Sequence, residues 1–375
     1  MGKIALVHDF LFTFGGAERV LLALHHLFPE APIYTMLAEP EVVKQHFSDA
    51  TIITSSLQRS PFRQNPAWLI AAMPRAIEEF DLNQYDLVIS SSGAFSHGVI
   101  TGPDTVHLSY CHTPMRYAWD WHAEYLQERG VTSPLGLWFA QTVLSRIRTW
   151  DYVTSKRVDR WIANSKTVQA RIEKYYHQKS EIIYPPVNTT FFDPSLVHTT
   201  SHKPYAVVAS RLSPYKRIDL AIEACATNNL ELHIVGSGNE RSKLEQVAQK
   251  SGGLVIFEGS INEEEKRALL ANAICFIFPA EDDFGIGPVE ALSLGVPVLA
   301  FGKGGALETV QPGKNGLLFK EQTASSLSEQ LAIFLKDGVS RSPAQIRQSA
   351  EPFSLEVFNQ NIHRSIAHAA PNFRF

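Results

Sequence analysis

Several segments carry residue types suited to holding an anionic, oxygen-rich ligand, and each directly follows a run of apolar residues. In Ser210-Arg211-Leu212-Ser213-Pro214-Tyr215-Lys216-Arg217, three cations crowd the start of the helical pattern Ile218–Ala224. Positive charge at a helix start is locally unfavourable. A bound polyanion reverses that cost, and Arg and Lys are the side chains that clamp diphosphates. The alternative is a solvated cationic turn. In Phe278-Pro279-Ala280-Glu281-Asp282-Asp283-Phe284-Gly285-Ile286-Gly287-Pro288-Val289-Glu290, the loop acid Asp282 lies eight positions before Glu290. Pro288 suits a first helical turn, so Glu290 is expected near a helix start. Carboxylates there would accept hydrogen bonds from sugar hydroxyls, and the amides of Phe284–Gly287 would donate to phosphate. A charged surface loop is the other reading.

Weaker signals have the same placement. Gly15-Gly16 opens a helix after the first apolar run, where glycine lets backbone N–H groups approach an anion. Its spacing is not G-x-G-x-x-G, so the dinucleotide fingerprint is absent. Gly236 and Gly238 form a second glycine turn, and Gly302-Lys303-Gly304-Gly305 a third. His112, in Tyr110-Cys111-His112-Thr113-Pro114-Met115-Arg116, ends an apolar run. A lone histidine there is more often structural, and His97 and His107 stand in the same position. Cys111-His112 has no second pair at metal-ligand spacing, so no metal site is expected.

These loops need strands before them and helices after them. Ile4–Val7, Ile33–Met36, Leu87–Ser90, Val106–Tyr110, Trp161–Ala163 and Ile182–Tyr184 read as strands, alternating with helical patterns such as Ala17–Leu27. Alternation of that kind predicts a parallel sheet covered on both faces. Residues 185–204, with Pro185-Pro186 and Asp193-Pro194, read as a linker. The rhythm restarts with Tyr205–Ala209, Glu231–Val235, Leu254–Phe257, Ala273–Phe278 and Val296–Phe301, and a last helical pattern covers Leu355–His368.

Composition excludes other classes. The 375 residues carry 34 Lys and Arg against 38 Asp and Glu, a net charge of −4, which disfavours a nucleic-acid binder. Three cysteines far apart, Cys111, Cys225 and Cys275, make no disulfide framework and fit a reducing cytoplasm. No run approaches the ~20 apolar residues of a membrane span, and the opening reads as a strand rather than a signal peptide. Between Gln141 and Ser180, nine Lys and Arg face three acids, with Trp150, Tyr152 and Trp161 interleaved and Trp138 just before. That suits a helix surface against anionic lipid. A solvated face with its aromatics turned inward is the alternative.

Together, G-G-A-E-R-V, S-R-L-S-P-Y-K-R, the two-acid loop and G-G-A-L-E resemble the retaining glycosyltransferases of family 4 over nearly the whole chain. The C-H-T-P-M-R segment and the F-G-I-G-P-V-E form are similar to the WbaZ-like mannosyltransferases of O-antigen and exopolysaccharide assembly. The resemblance implies an α/β GT-B fold of two doubly wound Rossmann-like domains facing a central cleft. An acceptor-side domain over 1–188 and a nucleotide-sugar domain over 189–354 are expected, with helix 355–370 packing back on the first. It further implies that Gly15 and Gly16 lie against donor phosphate or sugar, and that Arg211 and Lys216 neutralise the diphosphate leaving group. Asp282 would bind sugar hydroxyls and Glu290 the ribose. Amides near Phe284 and Gly285 would hold sugar and phosphate. Backbone near Gly236 and Ile261 would complete the donor site, the latter meeting the base. His112 would stand near the reacting carbon. The first acid is usually Glu in this family; here it is Asp282, with Glu281 adjacent.

No metal and no cofactor are implied, the nucleotide sugar being a co-substrate, and no D-x-D motif occurs. The expected donor is GDP-mannose, with a UDP-sugar as the alternative, and the expected acceptor is a glycan or a polyprenyl-diphosphate-linked oligosaccharide. A cytoplasmic protein, peripheral at the inner face of the membrane, follows. A sugar-nucleotide epimerase and a non-catalytic sugar-nucleotide-binding protein are the rival readings.

Overall fold

The computed structural model describes residues 2–122, 126, 132–197 and 203–374. The chain divides into two compact units, Met1–Pro186 with Phe358–Phe375, and Val187–Val357.

In the first unit the strands are β1 (Ile4–Leu11), β2 (Ile33–Ala38), β3 (Ile52–Thr54), β4 (Leu87–Ser92), β5 (Val106–Cys111), β6 (Arg160–Ala163) and β7 (Ser180–Ile182). They form one sheet in the order β3-β2-β1-β4-β5-β6-β7, with every pairing parallel. The central strands are buried on both faces, from Ala5 to Asp9 in β1 and throughout β2 and β4, as a parallel sheet requires. The helix Gly16–Leu27 buries Val20, Leu21 and Leu24, one stripe of the 3.6-residue period. Ser165 caps the helix Lys166–Tyr176 by accepting from the Val168 amide at 3.1 Å. The helix Leu355–Ala369 belongs largely to this unit. It buries Phe358, Ile362 and Ile366, the Phe358 ring lies 5.8 Å from Tyr110, and Ser365 bonds Glu181.

The second unit holds β8 (Tyr205–Ala209), β9 (Glu231–Val235), β10 (Val255–Gly259), β11 (Cys275–Phe278), β12 (Val298–Phe301) and β13 (Gly316–Phe319). Its sheet is also all parallel, in the order β10-β9-β8-β11-β12-β13. Val208, Ile222, Ile234, Ile277 and Leu299 are among its core residues.

The structure adds β3 and β13, which the apolar runs did not reveal, and starts β7 two residues earlier than Ile182. The stretch 185–204 is not a free linker. The Val187 amide donates to Phe353 O at 2.8 Å, Phe192 is buried, and Asp193 pairs with Arg347 at 2.7 Å, so residues 187–197 dress the second unit. Residues 198–202 of that stretch lie outside the described residues.

Candidate functional site

Each sheet has one point where strand order reverses. In the second unit it lies between β8 and β11, whose following loops diverge to opposite sides. Ligands of open α/β sheets bind there, beyond the carboxyl ends of the strands. The Lys216 ammonium reaches from the β8 loop to the Asp282 carboxylate in the β11 loop, spanning this point. Lys216 ends the short helix Pro214–Lys216, and its Nζ also sits 4.9 Å from the Tyr215 ring centroid. Arg211, on the same loop, is exposed, and its guanidinium has no acid partner among the described residues.

Glycine permits these loops to lie backbone to backbone. Gly236, after β9, has φ of 129°, and a Cβ there would stand 2.0 Å from Ser210 O. The β8 loop is thereby pinned, with Leu212 N donating to Ser237 O at 2.9 Å. The Gly304-Gly305 turn after β12 likewise supports the acid loop. Gly305 N donates to Asp282 O at 2.9 Å, and a Cβ on Gly305 would be 2.2 Å from Phe284 Cα.

Gly285, at φ 86°, caps the helix Ile286–Ser293. The first-turn amides of Ile286 and Gly287 have no acceptor within the helix. The Phe284 ring is buried, 5.5 Å from Phe353, so only its backbone lies along the loop. Glu290 is buried in the helix and held by Lys266 Nζ at 3.0 Å, which also pairs with Glu263 at 3.0 Å. Lys266 is not legible as a site residue from the sequence. It lies 24 positions from Glu290, and nothing local marks it. Ile261 lies half-buried between β10 and the helix Glu263–Ala271, which Asn262 caps.

In the first unit the reversal lies between β1 and β4. Asp9, from β1, accepts from the amides of Gly93, Phe95 and Ser96 at 2.6–2.7 Å and so fixes the β4 loop. His8 is buried; its Nδ1 lies 3.0 Å from Ser91 O and 3.1 Å from Ser91 Oγ, and its Nε2 faces Glu18 at 3.7 Å. Glu18 in turn accepts from the Gly15 amide at 2.8 Å, tethering the turn where Gly16 begins its helix. Ser91 Oγ also meets His112 Nε2 at 2.8 Å. His112 is thus joined to the Gly15-Gly16 turn through His8 and Ser91, neither of which the sequence reading marked. The His8-Asp9 pair directly after the first apolar run was the available signal.

Burial works against a charge on His8, but hydrogen bonding and charge from Glu18 outweigh it and raise the pKa. Burial likewise opposes the Glu18 anion, and His8 nonetheless holds its pKa down. Burial, then the neighbouring His8, push His112 down to about 4. His97 and His107 serve the interior. His97 Nε2 lies 3.4 Å from Asp151, which accepts from Trp119 Nε1 at 2.7 Å, and His107 Nε2 meets Ser90 Oγ at 2.8 Å. Burial lowers His107 to about 3.

The basic stretch 141–180 is more internally paired than its composition implied. Arg157 pairs with Glu78, Arg160 with Glu181 and Arg171 with Asp120, while Trp161 is buried 5.1 Å from Tyr176. Arg146, Lys156, Lys166, Lys174 and Lys179 stay exposed, and Leu135, Trp138 and Phe139 are exposed on the helix Pro134–Thr154 that carries Arg146. Among the described residues no helix is long and apolar enough to cross a membrane.

Residues 14–191 match the family model described as Glycosyltransferase Family 4, and residues 197–352 match Glycosyl transferases group 1. The chain belongs to glycosyltransferase family 4. The alpha-1,3/1,6-mannosyltransferase ALG2 of Dictyostelium discoideum is 26% identical over 264 residues, 58% of this chain and 63% of that one. A GDP-mannose-dependent monoacylated alpha-(1-6)-phosphatidylinositol monomannoside mannosyltransferase of Corynebacterium glutamicum is 35% identical over 155 residues, covering 38% of this chain and 40% of its own. The chain therefore spans about two-fifths to three-fifths of the length of these curated relatives. Two solved structures share the fold: Anabaena Alr3699/HepE in complex with UDP (TM-score 0.72, 19% identity, 98% of this chain and 100% of that one) and sucrose-phosphate synthase from Thermosynechococcus elongatus (TM-score 0.75, 18% identity, 98% and 99%). The family 4 chain has the GT-B fold, with two parallel-sheet Rossmann-like domains.

Proposed function

We propose that this family 4 protein transfers mannose from GDP-mannose, with retention and without a metal, to a glycan or lipid-linked acceptor. The observation that carries the donor site is the Lys216–Asp282 pair at the strand-order reversal, walled by glycine turns and facing a helix start. In the free protein Asp282 occupies Lys216. A bound nucleotide sugar offers the ammonium a diphosphate and the carboxylate a sugar hydroxyl, so both partners exchange for better-matched ones. Arg211, uncommitted, joins Lys216 on the diphosphate. Glu290, oriented by Lys266, accepts from the ribose hydroxyls. Gly236 and Ile261 contribute backbone, as do Phe284 and Gly285 at the helix start. His112 meets the transferred sugar, and Gly15 and Gly16 lie against donor phosphate or sugar.

During transfer the bond from the sugar's anomeric carbon to phosphate breaks, and a bond to the acceptor oxygen forms on the same face. The acceptor's proton passes to the departing diphosphate. Arg211 and Lys216 stabilise the charge that develops there, which is the work a divalent cation does elsewhere. The mannosyl assignment is supported by the names of the relatives matched in sequence. Thermal shifts with GDP, GDP-mannose, UDP and UDP-glucose test it, since ligand at about 100 times its Kd adds ~2.7 kcal/mol of stability. GDP-mannose is expected to stabilise most and to be consumed in the presence of chelator. Stabilisation by UDP-glucose alone overturns the donor, and transfer that stops with chelator overturns the metal-free mechanism.

A further inference from the structure

The contacts around His112 determine where its protons lie. His8 Nδ1 faces the Ser91 carbonyl at 3.0 Å, and a carbonyl can only accept, so Nδ1 carries a proton. His8 Nε2 faces the Glu18 carboxylate at 3.7 Å, an ion-pair distance that favours a proton there too. Both ring nitrogens of His8 thus face acceptors, an arrangement that favours the imidazolium. Its Nδ1 also reaches Ser91 Oγ at 3.1 Å, so that oxygen accepts from His8. The Ser91 hydroxyl proton then has one remaining target, His112 Nε2 at 2.8 Å. A nitrogen that accepts from a hydroxyl is bare, and a neutral imidazole with a bare Nε2 carries its proton on Nδ1. No acceptor for that Nδ1–H is found among the described residues.

We infer that Glu18, His8 and Ser91 are positioning residues that hold His112 as the neutral Nδ1–H imidazole, so that its ring donates a hydrogen bond to an oxygen of the transferred sugar. The ring is then a fixed donor and not a base. The ligand half of this inference rests on the transferase reading; the tautomer half does not. The arrangement also couples two parts of one sheet end. Glu18 bonds Gly15 through one oxygen and faces His8 with the other, so the glycine turn and the His112 ring share a support.

The charged and titratable groups around His112 come from each neighbouring element. His8 and Asp9 lie on β1, Glu18 on the helix Gly16–Leu27 and Tyr110 on β5, while Arg171, on the helix Lys166–Tyr176, reaches the adjacent Thr113 at 3.2 Å. His8 is the cation that opposes protonation of His112; Asp9 and Glu18 favour it. In Glu18→Gln the amide oxygen can still accept from Gly15, but His8 loses its counter-charge. Its titration should move down; His112 loses the lesser, favourable Glu18 charge but, once His8 is neutral, also the larger opposition of the His8 cation, so its own titration should move up.

Nitrogen-15 NMR of the imidazoles in the full chain reads this directly. The wild type is expected to show His112 protonated on Nδ1 and neutral throughout the neutral pH range. Ser91→Ala should give a mixture of both tautomers. Glu18→Gln should preserve the tautomer and raise the His112 titration. In the transfer assay, Ser91→Ala should lower kcat about ten-fold, the worth of one net hydrogen bond, and leave the KM for donor within about two-fold. An Nε2-protonated His112 in the wild type, or an unchanged tautomer in Ser91→Ala, overturns the relay even if transfer proceeds. The expected spectra without transfer from any nucleotide sugar leave the relay standing and overturn the transferase reading. If Ser91→Ala fails to fold, the opposite movements of His8 and His112 in Glu18→Gln decide the relay alone.

Discussion

Replacing Lys216 with alanine separates a catalytic lysine from a merely structural one. As a structural element, Lys216 makes one part-exposed ion pair, its side chain 13% and that of Asp282 18% exposed, and one cation–π contact to Tyr215. Such a pair contributes up to about 1 kcal/mol. The aromatic contact, to a ring 39% exposed, adds roughly 0.5 kcal/mol. A loss of about 1–1.5 kcal/mol lowers the Tm of a unit this size by roughly 2–6 °C. As a diphosphate ligand, the same ammonium meets charge that grows as the glycosidic bond breaks. One such contact in a water-poor site contributes about 3–4 kcal/mol in the transition state, or roughly 100–1000-fold in rate. The two roles differ by about 1.5–3 kcal/mol, and only the second lowers the turnover of folded protein. The experiment is kcat at saturating nucleotide sugar beside a melting curve of the same preparation. A variant that melts a few degrees lower and turns over within about threefold of wild type refutes the diphosphate clamp.

The two acids should divide by step. Glu290→Gln, which keeps Lys266 paired to Glu263, is expected to weaken nucleoside diphosphate binding about ten-fold. Asp282→Ala should spare that affinity and lower sugar transfer; equal losses of affinity in calorimetry contradict the division. Acid should destabilise the first unit through His107. Its folded pKa, about 3, lies below the ordinary 6.5, so the unfolded chain binds more protons between those values. Stability then falls as pH drops from about 6.5 towards 3. His8, raised on folding, works in the opposite sense. Chemical denaturation of His107→Gln against pH should show a shallower slope, and an identical slope excludes His107 as the cause. Peripheral binding to anionic vesicles is expected through Leu135, Trp138 and Phe139, and Trp138→Ser should abolish it in sedimentation. Indifference to lipid charge or to that substitution contradicts the proposed contact.

Loops were more legible than the contacts that make them work. The run Cys275–Phe278 is apolar and β-rich, so the strand before Asp282 could be read locally, and Gly285-Ile286-Gly287-Pro288 carries its own helix-start chemistry. β13 was harder. Gly316-Leu317-Leu318-Phe319 is a short edge strand opened by glycine, and its pairing with β12 is a tertiary fact. The stretch 185–204 misled because proline and serine punctuate it, while Phe192 and Asp193 find partners far along the chain. Distance also hid the chemistry at His112. Ser91 lies 83 positions from His8, and sheet order, not sequence, makes them neighbours. Nothing local to His8 or to His112 announces that both meet the Ser91 hydroxyl.

The division of the chain at Pro186 and again at Phe358 makes the second unit an insertion within the first. Synthesis therefore runs out of step with assembly. The unit begun first is completed last, because Phe358, Ile362 and Ile366 fill its interior and emerge only after Val187–Val357 is whole. On the ribosome the later-started unit has its full sequence earlier, and can close while its host still exposes the apolar seam awaiting that helix. Truncation before Phe358 thus injures the domain farthest from it in sequence.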